Sequence, residues 1–166
     1  MPNIQKLSSG FIYKEDFDTD NVMWQYFPND NTLHDRQLNS ITLKGGHGKI
    51  KMLTNTPDKN FVMQCKIKHT PLSINSFAGV VLLSDKDNYV ECQSFDGGTD
   101  VEVFYSYIKV IKNEINYFFY ASIDSITWEL VGSTEYGDCN MIGFFFDSDV
   151  EDNFIIEDIV FYKSPI

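Results

Sequence analysis

Tyr89, Glu91 and Gln93 alternate along one short run, with Val90 and Cys92 between them. In a strand that spacing sends the aromatic and polar side chains to one face and the two apolar ones to the other. A phenol ring beside a carboxylate and an amide suits a sugar, because the ring can stack on C–H faces while the polar groups hold hydroxyls. Tyr120 and Ser122 share a face of a second run by the same parity, and Tyr105 stands where it could join them. Tyr89, Glu91, Gln93, Tyr105 and Tyr120 are therefore expected to form one ligand patch on a single sheet face. The competing reading has the same tyrosines packing a second interface, in the core or against another subunit.

Other chemistries find less support. His34, His47 and His69 are separated from one another and from Cys65, Cys92 and Cys139, so no zinc spacing appears. No Gly-x-Ser-x-Gly elbow marks a nucleophilic serine. Gly45-Gly46-His47-Gly48 lacks the lysine and following helix of a phosphate loop and reads as a turn. Asp16, Asp18 and Asp20 alternate at the start of the chain, where a solvated edge explains them. Asp147, Asp149 and Asp152 gather in one stretch. They permit calcium, but six or more oxygens are needed, and a solvated loop accounts for the charges. No catalytic centre, cofactor or metal site is expected.

Composition narrows the partners. The 166 residues carry a formal charge of −11, which repels phosphate backbones and anionic membranes. Nucleic acid and membrane are not expected partners. Three cysteines, an odd and widely spaced set, read as free thiols. The opening residues lack the apolar stretch of a signal peptide, so synthesis in a reducing cytosol is expected.

The elements that must position these residues are short strands. Aromatics make up 15% of the chain and favour pleated, half-buried surfaces. Apolar runs at 49–53, 60–69, 77–84, 89–95, 101–111, 115–123, 127–132, 141–146 and 154–162 are separated by turn signals such as Asp96-Gly97-Gly98 and 112–114. Phe61, Met63, Cys65 and Ile67 share one face, as do Tyr117, Phe119, Ala121 and Ile123. No amphipathic helix is found, and the pattern predicts an all-β, two-sheet antiparallel sandwich.

Phe77-Ala78-Gly79-Val80-Val81-Leu82 followed by Asp87-Asn88-Tyr89-Val90 resembles the strand pair of concanavalin A-like lectin/glucanase domains. The stretch 116–124 followed by Thr127-Trp128-Glu129-Leu130-Val131-Gly132 resembles their Asp-Gly hairpin, with Ser125 where that family usually has glycine. Asp16-Phe17-Asp18 with Trp24, and 154–159, fit their opening and closing strands. The likeness extends to the C-terminal sandwich modules of β-xylosidases and to laminin-G-like modules, and implies a jelly-roll sandwich over 15–166 preceded by an arm or docking segment at 1–14. The Glu-x-Asp-x-x-Glu run of the laminarinase-like branch is absent. Together these features point to a non-catalytic attachment domain of a larger, homo-oligomeric assembly such as a phage virion, made in the host cytoplasm and able to hold glycans. The alternatives are a free-standing carbohydrate-binding module, then a glycosidase.

Overall fold

The computed structural model describes residues 11–17, 24–69, 71–85, 87–92, 106–137 and 139–163. Among them are thirteen strands and no helix: β1 (Phe11–Lys14), β2 (Gln25–Phe27), β3 (His34–Gln37), β4 (Ser40–Lys44), β5 (Gly48–Asn55), β6 (Phe61–His69), β7 (Ser76–Asp85), β8 (Asn88–Cys92), β9 (Tyr107–Asn113), β10 (Asn116–Ser122), β11 (Glu129–Glu135), β12 (Met141–Ser148) and β13 (Asn153–Lys163). They form two antiparallel sheets. One runs β11-β10-β9-β6-β13-β4-β3, with β1 also paired to β13; the other runs β2-β5-β12-β7-β8.

The alternation read from the sequence is what closes the sandwich. Phe61, Met63, Cys65 and Ile67 of β6 are all buried, while Val62, Gln64 and Lys66 between them stay half-buried. On β12, Ile142, Phe144 and Phe146 enter the same core. Along β13 the inward parity changes from Phe154 and Ile156 to Ile159 and Phe161. A bulge between Glu157 and Val160 absorbs the extra residue, with Asp158 in the left-handed region at φ 55°. Without that bulge, Ile159 and Phe161 would point to solvent.

Several elements differ from the sequence reading. Strands β1 to β3 carry no clear apolar period, whereas β4 alternates buried Ile41 and Leu43 with Ser40 and Thr42; β3 reads His-Asp-Arg-Gln and is a polar edge. Residues 11–14, assigned to the arm, form β1, and Ile12 and Tyr13 pack against the core; residues 1–10 lie outside the described residues. Buried Glu15 anchors this entry: it accepts hydrogen bonds from the Tyr13 hydroxyl, the Phe17 amide (2.8 Å) and the Trp24 indole (3.1 Å). The expected strand at 101–111 begins, among the described residues, at Tyr107 and continues to Asn113, so the turn falls on Glu114 at φ 57°. Residues 101–105, the Asp96-Gly97-Gly98 turn, Asp18 and Asp20 lie outside the described residues. The strand expected at 127–132 runs instead from Glu129 to Glu135.

Candidate functional site

Among the described residues, the outer face of the five-stranded sheet is where apolar side chains are buried away from the core between the sheets. Leu53 of β5, Phe145 of β12 and Val81 and Leu83 of β7 form a separate cluster there, each at most 9% exposed. The register explains their grouping. Leu53, Gly143 and Val81 lie side by side across β5, β12 and β7, with Glu91 of β8 beyond; Lys51, Phe145 and Gly79 form the next row. Gly143 is required where it stands, since a Cβ there would lie 1.8 Å from the Met52 carbonyl oxygen. It also leaves the middle of the face without a side chain.

Two cationic side chains from β5 lean over this floor toward β8. The Lys49 ammonium donates to the Glu91 carboxylate at 2.7 Å and lies 5.6 Å from the Phe145 ring centre. The Lys51 ammonium sits 4.1 Å from the centre of the Tyr89 ring, a cation–π contact. Because β12 and β7 separate β5 from β8, each contact spans the face and shields the apolar floor. A cavity of about 410 Å³ opens beside them, lined by Phe27, Pro28, Lys49, Lys51, Leu53 and Leu83. That is within the range of small-ligand sites, which are apolar with a few placed polar groups.

The two lysines differ electrostatically. Burial alone would lower the pKa of Lys49, but the hydrogen bonds and charge of Glu91, aided by Tyr89 and Asp147, outweigh it and raise the value. Burial lowers the pKa of Lys51, the charge of Lys49 lowers it further, and Glu91 offsets only part of this.

Of the residues expected to form one patch, Tyr89 and Glu91 do share this face. Tyr120 does not, because β10 belongs to the eight-stranded sheet. Its ring lies on that sheet's outer side, where the Lys109 ammonium is 5.7 Å from its centre and 4.2 Å from that of Trp128. Gln93 and Tyr105 lie outside the described residues. Parity within each strand was legible; membership of one sheet or the other was not. Lys49, Lys51, Leu53, Phe27 and Phe145 were missed. The alternation of Lys49, Lys51 and Leu53 against buried Ile50 and Met52 was the available signal.

One further constellation has a hydrolytic look. The Ser76 hydroxyl lies 2.9 Å from His69 Nε2 and donates to Asp152 Oδ2 at 2.5 Å. A hydroxyl carries one proton, so Ser76 accepts from His69 rather than giving its proton to it. A serine nucleophile needs the opposite order, with the carboxylate on the far side of the histidine. Ser76 is also buried. With the Leu72 amide donating to Asp152 at 3.3 Å, the group ties the β6–β7 connection to the β12–β13 connection. Asp149 accepts from the Asn75 side chain at 3.1 Å in the same region. Among the described residues, no three His, Cys, Asp or Glu side chains converge as metal ligands do. Among the described residues, Cys65, Cys92 and Cys139 form no disulfide.

No family model matches the chain, and no curated protein sequence matches it. Solved structures do. The GH43 protein BlXynB from Bacillus licheniformis superposes with a TM-score of 0.73 at 16% identity, covering 91% of this chain and 39% of that one. Xylan β-1,4-xylosidase from Bacillus halodurans C-125 gives 0.68 at 13% identity, with 90% and 39% covered. The VIP36 exoplasmic/lumenal domain in its Ca²⁺-bound form gives 0.60 at 9% identity, with 92% and 89% covered. The chain thus spans about two fifths of the hydrolases it resembles. At these identities the likeness shows the fold, a β-sandwich found both within GH43 proteins and in the VIP36 exoplasmic/lumenal domain.

Proposed function

We propose that this chain is a non-catalytic carbohydrate-binding sandwich, and that it holds its ligand on the outer face of the five-stranded sheet. The observation that carries this is the roofed apolar trough. Leu53, Val81, Leu83 and Phe145 form a sealed base outside the core, the exposed Phe27 and Pro28 line a cavity beside it, Tyr89 offers a ring at its edge, and Lys49, Lys51 and Glu91 supply donors and acceptors. A sugar presents both an apolar C–H face and hydroxyls, and this surface has a counterpart for each. The fold's occurrence within a xylan β-1,4-xylosidase and a GH43 glycoside hydrolase supports a glycan as ligand. Binding rather than hydrolysis is favoured because Glu91 is held by Lys49 and Ser76 is buried and turned toward Asp152. Calorimetric titration with a panel of oligosaccharides tests the reading. At least one should bind, Tyr89→Ala should weaken it by about 1–3 kcal/mol, and no reducing ends should appear on incubation. Hydrolysis abolished by changing a single carboxylate would overturn it.

A second reading, display on a larger assembly such as a virion, is favoured by Ile123, Ile126 and Leu130, all exposed around the β10–β11 connection. Light scattering should then report an oligomer that Ile126→Ser disrupts; a monomer unchanged by that substitution contradicts it.

A further inference from the structure

Resting on the glycan reading of this face, we infer that the ligand carries a carboxylate, as a uronic acid residue does, and that Lys51 is the group that recognises it. Three observations place an anion there. First, Lys51 lines a cavity whose other walls are mainly apolar, from Phe27, Pro28, Leu53 and Leu83. A cation in such a setting has lost part of its hydration and regains free energy from a charge-assisted hydrogen bond. Second, of the two carboxylates on this face, Glu91 is held by Lys49 at 2.7 Å and Asp147 pairs in register with Lys49 and acts on it. Among the described residues Lys51 has no ion pair and rests on the Tyr89 ring instead. Third, the chain carries a net charge of −11, so a cation beside a cavity with no ion pair among the described residues is contrary to the surface as a whole. The depression of the Lys51 pKa by burial and by Lys49 agrees with an ammonium short of negative charge.

The remaining features select among anions. An inorganic ion would use the ammonium but not the apolar walls. A ring bearing one carboxylate uses both, with its C–H face on the exposed Phe27 and Pro28 and its charge on Lys51. A long polyanion is disfavoured, because the Debye length at physiological ionic strength is about 8 Å and the surrounding surface repels charge within that range. A short glycan bearing one uronic acid fits best.

The test is calorimetric titration with an aldobiouronic acid (a glucuronic acid joined to one neutral sugar) and with its methyl ester, which keeps the ring but removes the charge. The acid should bind about tenfold more tightly than the ester, and added salt should erode that advantage. Lys51→Gln should bind both equally, Lys51→Arg should retain the preference, and unchanged melting of each variant confirms an intact fold. Equal affinity of the unaltered protein for acid and ester overturns the inference while leaving the glycan reading in place. Failure of the acid, the ester and every neutral oligosaccharide to bind overturns both.

Discussion

The two outer faces of the sandwich carry similar residues and differ in what lies beneath them. Both hold lysines over tyrosines: Lys51 over Tyr89 on the five-stranded sheet, and Lys109 over Tyr120 and Trp128 on the eight-stranded one. Burial lowers the pKa of both Lys51 and Lys109. On the five-stranded sheet, however, the lysines stand over a buried apolar cluster and beside a cavity. On the other, the outward side chains of β6, β9 and β10 from Val62 to Lys66, Tyr107 to Ile111 and Phe118 to Tyr120 are half-buried without a sealed floor. Aromatic rings and cations alone therefore do not distinguish a binding face from a solvated one. What sets the five-stranded face apart is a sealed apolar cluster outside the main core beside a cavity lined by the exposed Phe27 and Pro28.

The largest expected contrast is at two glycines. A methyl at Gly143 would meet the Met52 carbonyl at 1.8 Å, whereas one at Gly132 on β11 would meet Cys92 Sγ at 3.6 Å, an ordinary contact. Gly143→Ala should lower stability in urea melts by about 3 kcal/mol and Gly132→Ala by less than about 0.5 kcal/mol. Equal costs would show that the floor of the five-stranded face is not held as described.

The ion pairs offer a finer comparison. Lys49–Glu91 has side chains 32% and 21% exposed and caps the floor, while Lys68–Glu157 has 59% and 25% at 3.6 Å. Lys49→Met should cost about 1 kcal/mol and Lys68→Met close to nothing, because exposed pairs are screened. Smaller still is the effect at Ser125, which sits at φ 65° in the β10–β11 connection. Ser125→Gly should gain about 0.5 kcal/mol, the relief of the left-handed strain less the entropy of a glycine.

That last position shows how much could be read from the sequence. The departure from glycine at Ser125 was visible, and its physical meaning, a side chain forced into the left-handed region, needed the backbone. The all-β sandwich and the parity of β6, β8 and β10 were legible because a period of two is written directly in residue type. The polar edge β3 and the short β2 were not, since their hydrogen bonds go to neighbours that impose no apolar pattern. The shared face of Tyr89 and Glu91 was legible for a related reason. Tyr89 and Glu91 were found by alternation, but pairing them with Tyr120 required knowing that β8 and β10 sit in different sheets.

Acid should affect the two faces unequally. Asp124 is held below the ordinary aspartate pKa of 3.8 by the amides of Thr127 and Ile126 and the Ser122 hydroxyl. A carboxylate depressed in the folded state contributes stability above its unfolded pKa and loses it as pH falls through the folded one. Amide exchange at Ile126 and Thr127 should therefore quicken as pH drops below the unfolded value, loosening the β10–β11 end of the eight-stranded sheet. Exchange that is independent of pH in that window, after correction for intrinsic rates, would count against the capping role.

The most direct measurement is a map of amide chemical-shift changes on titration with the tightest-binding oligosaccharide. Changes concentrated on β5, β12, β7 and β8, centred on Lys51, Leu53, Phe145 and Tyr89 and absent around Lys109, Tyr120 and Trp128, are the predicted result. Changes concentrated on β9, β10 and β11 would contradict it, and would move the binding face to the other sheet.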